Sequence, residues 1–265
     1  MKISIITINY NNLHGLKKTV RSVLEQTYAN VEYIVIDGGS KDGSAEFIYN
    51  KADEFAYWVS EPDKGIYHAM NKGIELATGE YLLFLNSGDW LYNSQIIQHV
   101  VNKNDNRNIV YGNIILHSSN GNEVLKKMPK VLDVYTLLKT TITHQAIFHH
   151  KSLFKKGARY SLSYKYSSDW VFYVRAILNG ATYKSLTHTI AYYDTTGITS
   201  QNAIVTNELK KERERFLKQE FSFEFNKLLD EYLATRRAYV NLMNSRLVRL
   251  LIFLKPSLKK YVNVK

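Results

Sequence analysis

Val31-Glu32-Tyr33-Ile34-Val35-Ile36-Asp37 runs directly into Gly38-Gly39-Ser40-Lys41-Asp42-Gly43. A β-branched apolar run closed by a glycine-rich, polar turn reads as a buried strand that brings a carboxylate to its C-terminal end. Upstream, Lys2–Ile8 is a second such run, ending in Asn9-Tyr10-Asn11-Asn12. Between the two, Leu13, Leu16, Val20, Val23 and Leu24 recur at helical spacing. Downstream, the pattern predicts a helix over Ser44–Lys51 and a short strand over Phe55–Val59. A helix carrying the stripe Ile66, Ala69, Met70, Gly73, Ile74 and Ala77 follows, stopped by Thr78-Gly79, and then a fourth strand over Tyr81–Leu85. Strand and helix alternate throughout, which predicts an α/β fold with a parallel central sheet and helices on both faces.

Beyond Asp89 the rhythm loosens. Ser94–Lys103 reads as a helix, Ile109–Leu116 as a strand, and Asn120-Gly121 as a hairpin turn. A further strand is expected within 143–150, with His149 and His150 as a pair on an edge strand rather than metal ligands. Ser168–Leu178 has helical apolar spacing, and 205–254 reads as one or two long charged helices. There is no internal repeat.

The composition of the 265 residues, 45% hydrophobic and 22% charged, is that of a globular protein and excludes disorder. The absence of cysteine removes disulfide frameworks, thiolate nucleophiles and cysteine-ligated metals. No apolar run approaches the roughly 18 residues a spanning helix needs, so a cytoplasmic setting is expected. Of the net charge of +11, residues 232–265 account for +8, because that segment has eight Lys and Arg and no Asp or Glu. The remainder is near neutral, which does not describe a basic nucleic-acid-binding globule.

In an open parallel sheet, ligands bind outside the carboxyl ends of the strands. Here three strand ends deliver polar groups to one edge: Asn9-Tyr10-Asn11-Asn12, Asp37, and Asn86-Ser87-Gly88-Asp89. Neither a dinucleotide-binding glycine fingerprint nor a phosphate-binding P-loop is present. Asp89 with Asn86 offers hard oxygen donors suited to Mg²⁺ or Mn²⁺ held jointly with phosphate oxygens. Asp37 is suited to accept hydrogen bonds from a base or ribose. Together these groups point to a nucleotide-diphosphate substrate.

The blocks Ile3–Asn11, Gln26-Thr27-Tyr28, Val35–Gly43, Ser60–Tyr67, Ala69–Gly73 and Phe84–Asp89 resemble, in this order, the family 2 glycosyltransferases of the GT-A fold. Thr143–Phe148 and Ser167-Ser168-Asp169-Trp170 resemble that family's acceptor-side segments, so the likeness extends over roughly residues 2–200. It implies a GT-A catalytic domain over 1–204, with a nucleotide-binding half (1–90), an acceptor-binding half (91–204), and a basic helical C-terminal extension over 205–265. It further implies an inverting, hexosyltransferase-type enzyme that uses a nucleotide-diphosphate-sugar, UDP-sugar favoured, and a glycan or lipid-linked acceptor in bacterial surface-polysaccharide assembly. By the same resemblance Thr7, Tyr10 and Asp37 bind the base and ribose, Asn71 and Lys72 lie near the donor, and Asp89 with Asn86 holds the divalent metal. Asn86 stands where an aspartate is common, a departure from the family pattern. Asp169 matches the catalytic base, with His144, Gln145 and Trp170 on the acceptor or leaving-group side.

Asp169 also has a local argument. Ser167 or Ser168 caps a helix with Asp169 in its first turn, where the positive end of the dipole favours the ionised carboxylate. Thr195–Ser200 is read either as a loop closing over the donor or as a linker. The 232–265 tail is read as seated on the inner membrane surface, or alternatively as packing on the catalytic domain or across a homodimer contact. Two other functions make different demands on the sequence. A sugar nucleotidyltransferase needs a basic glycine-rich loop after the first strand, which Asn9–Leu13 does not supply. A non-catalytic membrane or nucleic-acid adaptor would act through the tail alone.

Overall fold

The computed structural model describes residues 1–196 and 203–222, with single positions at 231, 234, 235 and 238. Ile3–Asn9 (β1) has seven consecutive buried residues because it lies inside the sheet, flanked in parallel by Val31–Asp37 (β2) and Tyr81–Phe84 (β4). Tyr57–Ser60 (β3) extends the sheet beyond β2, again in parallel. Strands with helices over them are covered on both faces, which is why they read as unbroken apolar runs. Leu13–Leu24 (α1), Ser44–Tyr49 (α2) and Ile66–Leu76 (α3) are the crossovers. In α3, Gly73 is dictated by packing: a Cβ there would stand 2.4 Å from the Ile6 side chain of β1.

The second half departs from simple alternation. Ile147–His150 (β8) pairs antiparallel with β4, and Ile109–His117 (β6) antiparallel with β8. Tyr183–Asp194 (β9) runs parallel to β6, and Trp90–Leu91 (β5) closes the edge on β9. Glu123–Lys126 (β7) makes a hairpin with β6 around the expected Asn120-Gly121 turn. Among the described residues, the sheet order is β3-β2-β1-β4-β8-β6-β9-β5, with β7 on β6. The helices of this half are Ile96–Lys103 (α4), Val134–Lys139 (α5), Ser168–Leu178 (α6) and Ala203–Glu220 (α7).

Two expectations are corrected here. His149 and His150 do not sit on an edge strand, because β8 lies between β4 and β6. His149 is fully buried, with one ring nitrogen 3.1 Å from the Leu82 carbonyl and the other 2.9 Å from the Tyr173 hydroxyl. Burial pushes its pKa down to about 3, so it is a neutral core residue. The segment 143–150 is a strand only in its second part; His144–Ala146 forms a 3-10 turn that redirects the chain.

The chain divides into two compact units, Met1–Glu212 and Arg213–Lys265. The first holds the whole sheet. Of the loop expected over 195–200, residues 197–200 lie outside the described residues, as does most of the 232–265 tail. Among the described residues, no helix is long and apolar enough to cross a membrane.

At the edge opposite the strand ends that gather Asn9 and Asp37, Glu32 ties three segments together. Its carboxylate accepts from Lys2 Nζ (2.5 Å), Ser4 Oγ (2.6 Å), and the Thr78 amide and hydroxyl (2.8 and 2.6 Å). Burial pushes its pKa up, but these donors outweigh burial and bring it down to about 2. A depressed folded pKa means that the stabilisation is present above about pH 4.5 and is lost as pH falls towards 2. Discounted for the half-exposed Lys2, this stabilisation amounts to about 2 kcal/mol. Glu32→Gln is therefore expected to melt about 4–8 °C below wild type at pH 7. The gap should close in melts recorded from pH 5 down to 2; a gap that does not depend on pH would refute this account.

Candidate active site

The turn after β4 is held in place by α1. Asn12 caps α1 by accepting from the Gly15 amide (3.0 Å), and its Nδ2 donates to the Ser87 carbonyl (3.0 Å). One turn further along, buried Thr19 donates to the Asp89 carbonyl (2.6 Å) and accepts from the Gly88 amide (3.0 Å). Gly88 has φ +105°, a conformation that favours glycine. Asn86 and Asp89 are thereby fixed at the sheet edge, facing the 3-10 turn that carries His144 and Gln145. Gln145 Nε2 donates to Asp89 Oδ2 (2.8 Å), and the Asp194 amide donates to Asp89 Oδ1 (2.9 Å). Burial pushes the Asp89 carboxyl up to about 7, against the pull of these hydrogen bonds.

Asp169 lies in the first turn of α6. Ser167 is the cap position, but its hydroxyl makes no capping bond and instead donates to Glu212 (2.7 Å), correcting the expected serine cap. The Asp169 carboxylate accepts from the Tyr67 hydroxyl (2.9 Å) and the Trp170 amide (2.8 Å) on Oδ1, and pairs with His144 Nδ1 through Oδ2 (3.2 Å). Burial opposes its ionisation, but His144, Tyr67 and the Trp170 amide outweigh burial and hold its pKa below the usual aspartate value. Tyr67, raised by its own burial and by the neighbouring carboxylate, stays protonated and donates. The other His144 nitrogen, Nε2, is 3.1 Å from Asn86 Nδ2. With the Asn86 amide donating to Nε2, the proton on the ring sits on Nδ1 and points to Asp169. A single imidazole thus bridges the strand-end turn of β4 and the carboxylate of α6.

The other expected site residues divide by exposure. Tyr10 is 65% exposed at the end of β1. Thr7 is fully buried, its hydroxyl 3.0 Å from that of buried Tyr33. Asp37 is also fully buried: Asn9 Nδ2 (2.6 Å) and Ser40 Oγ (2.5 Å) reach Oδ1, while Ser60 Oγ (2.6 Å) and the Ser40 and Gly39 amides (2.9 and 3.2 Å) reach Oδ2. Burial raises its pKa, and those bonds more than reverse the effect. Its carboxylate faces inward and organises the 38–40 turn. Asn71 is held on the Tyr160 backbone by both ends of its amide (2.8 and 3.0 Å), and Lys72 pairs with Glu61 (2.7 Å). Trp170 is buried in the core with its indole donating to the Leu137 carbonyl (2.7 Å). Tyr67 and Asp194 were not singled out from sequence. Asp194 ends β9, and an acid at the C-terminal end of a parallel strand is the signal that would have found it.

Asn86, Asp89 and Asp194 gather oxygen atoms at this edge, with both Asp89 oxygens already accepting hydrogen bonds. Asn86 Oδ1 is buried without a partner, and Asp89 and Asp194 are close enough for the Asp194 charge to disfavour ionisation of Asp89. No group of three or more His, Cys, Asp or Glu is arranged for a metal among the described residues. Two carboxylates with substrate phosphates completing the shell suit Mg²⁺ or Mn²⁺.

Comparison with known proteins bears on this site. The family model described as "Glycosyl transferase family 2" matches residues 4–162. An uncharacterized glycosyltransferase of Mycobacterium tuberculosis is 33% identical over 252 residues, covering 92% of this chain and 94% of that protein. Among solved structures, S. aureus TarS 1-349 in complex with UDP superposes with a TM-score of 0.61 at 21% identity, over 73% of this chain and 60% of that one. The mannosyltransferase PcManGT of Pyrobaculum calidifontis, in complex with GDP-Man and Mn²⁺, superposes with a TM-score of 0.56 at 16% identity, over 72% of this chain and 56% of that one. The chain thus spans less than two thirds of either solved neighbour, and both likenesses concern the fold.

Proposed function

The chain belongs to glycosyltransferase family 2, and on that premise we propose that it transfers a sugar, with inversion, from a nucleotide-diphosphate-sugar to an acceptor hydroxyl, with Asp169 as general base. The observation that carries this reading is the bridge Asp169–His144–Asn86. It joins an ionised carboxylate to the turn suited to the diphosphate, so base and leaving group belong to one site. The acceptor oxygen attacks the anomeric carbon, its proton passes to Asp169, and the bond from that carbon to the diphosphate oxygen breaks. Tyr67 and the Trp170 amide hold Asp169 Oδ1, and His144 orients Oδ2, so the carboxylate meets the hydroxyl already aligned. Asp89, Asp194 and Asn86 Oδ1 are the groups that would hold a divalent cation. When bound, it supplies counter-charge to the diphosphate leaving group. Tyr10 covers the base and Asp37 shapes the turn beneath it.

The acceptor in this reading is a glycan or lipid-linked sugar. The acid-free, +8 segment 232–265 supports a location at an anionic membrane surface.

Thermal shift of the purified full chain against UDP-, GDP- and dTDP-sugars, with and without Mn²⁺, tests the donor class. A ligand present at 100 times its Kd stabilises the native state by about 2.7 kcal/mol. A rise in Tm with a sugar nucleotide that is larger with Mn²⁺ is expected. No shift with any of them would overturn the reading.

A further inference from the structure

Glu212 stands on α7, in the part of that helix that belongs to the compact unit holding the sheet. Its half-buried carboxylate pairs with no cation among the described residues. Instead, Oε1 accepts from the Lys165 amide (2.6 Å), and Oε2 from the Tyr166 amide (3.0 Å) and the Ser167 hydroxyl (2.7 Å). Three consecutive residues thus turn donors onto one acid that lies 45 to 47 positions further along the chain. Those residues form the entry to α6, and Asp169 stands in the first turn that follows. Both ends of the contact lie beyond residues 4–162, the part of the chain that the family model matches.

We propose that Glu212 is a positioning residue for the transfer reaction: from a distant helix it fixes the entry to α6 and so holds the Asp169 carboxylate in line with the acceptor hydroxyl. The inference rests on the reading of Asp169 as general base and deepens it. The local chain offers no substitute for this acid. Residues 161–168 carry no carboxylate and no side-chain amide, and the Ser167 hydroxyl, at the cap position, makes no bond to the helix it precedes. The first turn is tied from within only by Asp169, whose Oδ1 accepts the Trp170 amide. That bond joins the base to its helix and leaves the helix start to be fixed by the turn before it. A carboxylate accepting from backbone amides makes charge-assisted bonds, stronger than those between neutral groups. Negative charge ahead of a helix N-terminus is also favoured by the dipole.

Asp169 has little room for error. Its oxygens are set between the Tyr67 hydroxyl on α3 (2.9 Å) and His144 Nδ1 on the 3-10 turn before β8 (3.2 Å). Both partners stand on other elements, so a displaced α6 start carries the carboxylate away from the two together. Misplacement by about 1 Å costs up to about 10²-fold in rate. Ser167 is fully buried, so without Glu212 its hydroxyl would be left with neither its acid nor water. The element that precedes α7 serves the other side of the site: β9 ends at Asp194, whose amide donates to Asp89. Asp194 and Glu212 thus support the turn suited to the diphosphate and the base, respectively, from two successive elements.

A double-mutant cycle in the full chain tests the proposal. The activity is release of nucleoside diphosphate from UDP-, GDP- and dTDP-sugars with water standing in for the acceptor, followed long enough to read the residual turnover of Asp169→Asn. Calorimetry gives Kd for the nucleotide released. Glu212→Ala is expected to lower kcat about 10–100-fold and to leave that Kd within about twofold. In an Asp169→Asn background the same substitution should change kcat by less than about twofold, because a group that acts through Asp169 then has no base to position. Ser167→Ala, which removes one of the three bonds and keeps the acid, should cost about 3–10-fold and carries the test where Glu212→Ala does not fold. A merely structural role would lower the melting temperature with kcat retained, or give losses that multiply with that of Asp169→Asn; either result overturns the proposal, as does a nucleotide Kd that weakens in step with kcat. Retained kcat in Glu212→Ala and Ser167→Ala beside a loss in Asp169→Asn overturns this inference alone. Undiminished turnover of Asp169→Asn overturns the general-base reading and this inference with it, and wild type that releases no nucleotide from any of the three donors removes the transferase reading as well.

Discussion

Asp169→Asn is expected to lower kcat for sugar transfer by about 10³-fold, within the range attributed to a positioned general base, while leaving Kd for the donor nucleotide within about twofold. The substitution is isosteric. Tyr67 and the Trp170 amide still find an oxygen at their present distances of 2.9 and 2.8 Å. What is lost is the capacity to accept the acceptor's proton, together with the charge that His144 Nδ1 faces at 3.2 Å. In the proposed site the nucleotide lies at the β1 and β2 ends, away from this group. Because the Asp169 pKa lies below the ordinary aspartate value, this base imposes no loss of activity on lowering the pH from 8 to 5. Calorimetry for the nucleotide and a coupled assay for released nucleoside diphosphate separate the two effects. A variant that turns over within about threefold of wild type would remove Asp169 from the chemistry.

Asp89→Asn is expected to keep the fold and to lose about 10²-fold or more in turnover, together with any Mn²⁺ enhancement of nucleotide binding. The fold should survive for a specific reason. Asp89 is fully buried with its pKa pushed up to about 7, so the surroundings already tolerate a neutral group there. The introduced amide can still accept the Asp194 amide through its oxygen. Its nitrogen would face Gln145, whose Oε1 is buried without a partner and becomes available when that amide turns over. Activity should fail because the amide cannot supply the negative charge a cation needs beside the diphosphate. Circular dichroism, melting temperature and nucleotide titrations with and without Mn²⁺ read the two halves separately. Undiminished turnover with retained Mn²⁺ enhancement would exclude Asp89 from the metal site. Collapse of the fold would refute the argument from Gln145.

The alternating half of the chain was legible because its strands are covered on both faces and its crossovers carry clean helical stripes. The second half was not. Tyr183–Asp194 mixes polar and apolar residues, with a burial pattern that follows no simple alternation, and its register with β6 shifts around Gly112 and Asn113. The same difficulty hid Asp194, since an acid at the end of an unrecognised strand looks like a loop residue. Tyr67 stood inside a recognised motif, yet nothing local shows that a side chain on α3 meets one on α6, 102 positions later.

The amino-acid sequence by itself determined the α/β class and the edge at which polar groups gather, Asp89 among them, because strand ends are encoded by short-range patterns; His144 and Asp169 were singled out only through the family resemblance. Tertiary structure alone decided which of these groups are presented and which are buried. Asp37 ends β2 as Tyr10 follows the end of β1, but five hydrogen bonds turn its carboxylate inward, and Thr7, inside β1, faces the Tyr33 hydroxyl. Asp63, in a loop with no periodicity to read, comes to lie over Gly38 because only glycine leaves that space open. Residue spacing sets the face of an element on which a side chain emerges. The groups it meets depend on which elements pack together, and for Tyr67, Asn86 and Asp89 those partners come from the other half of the chain.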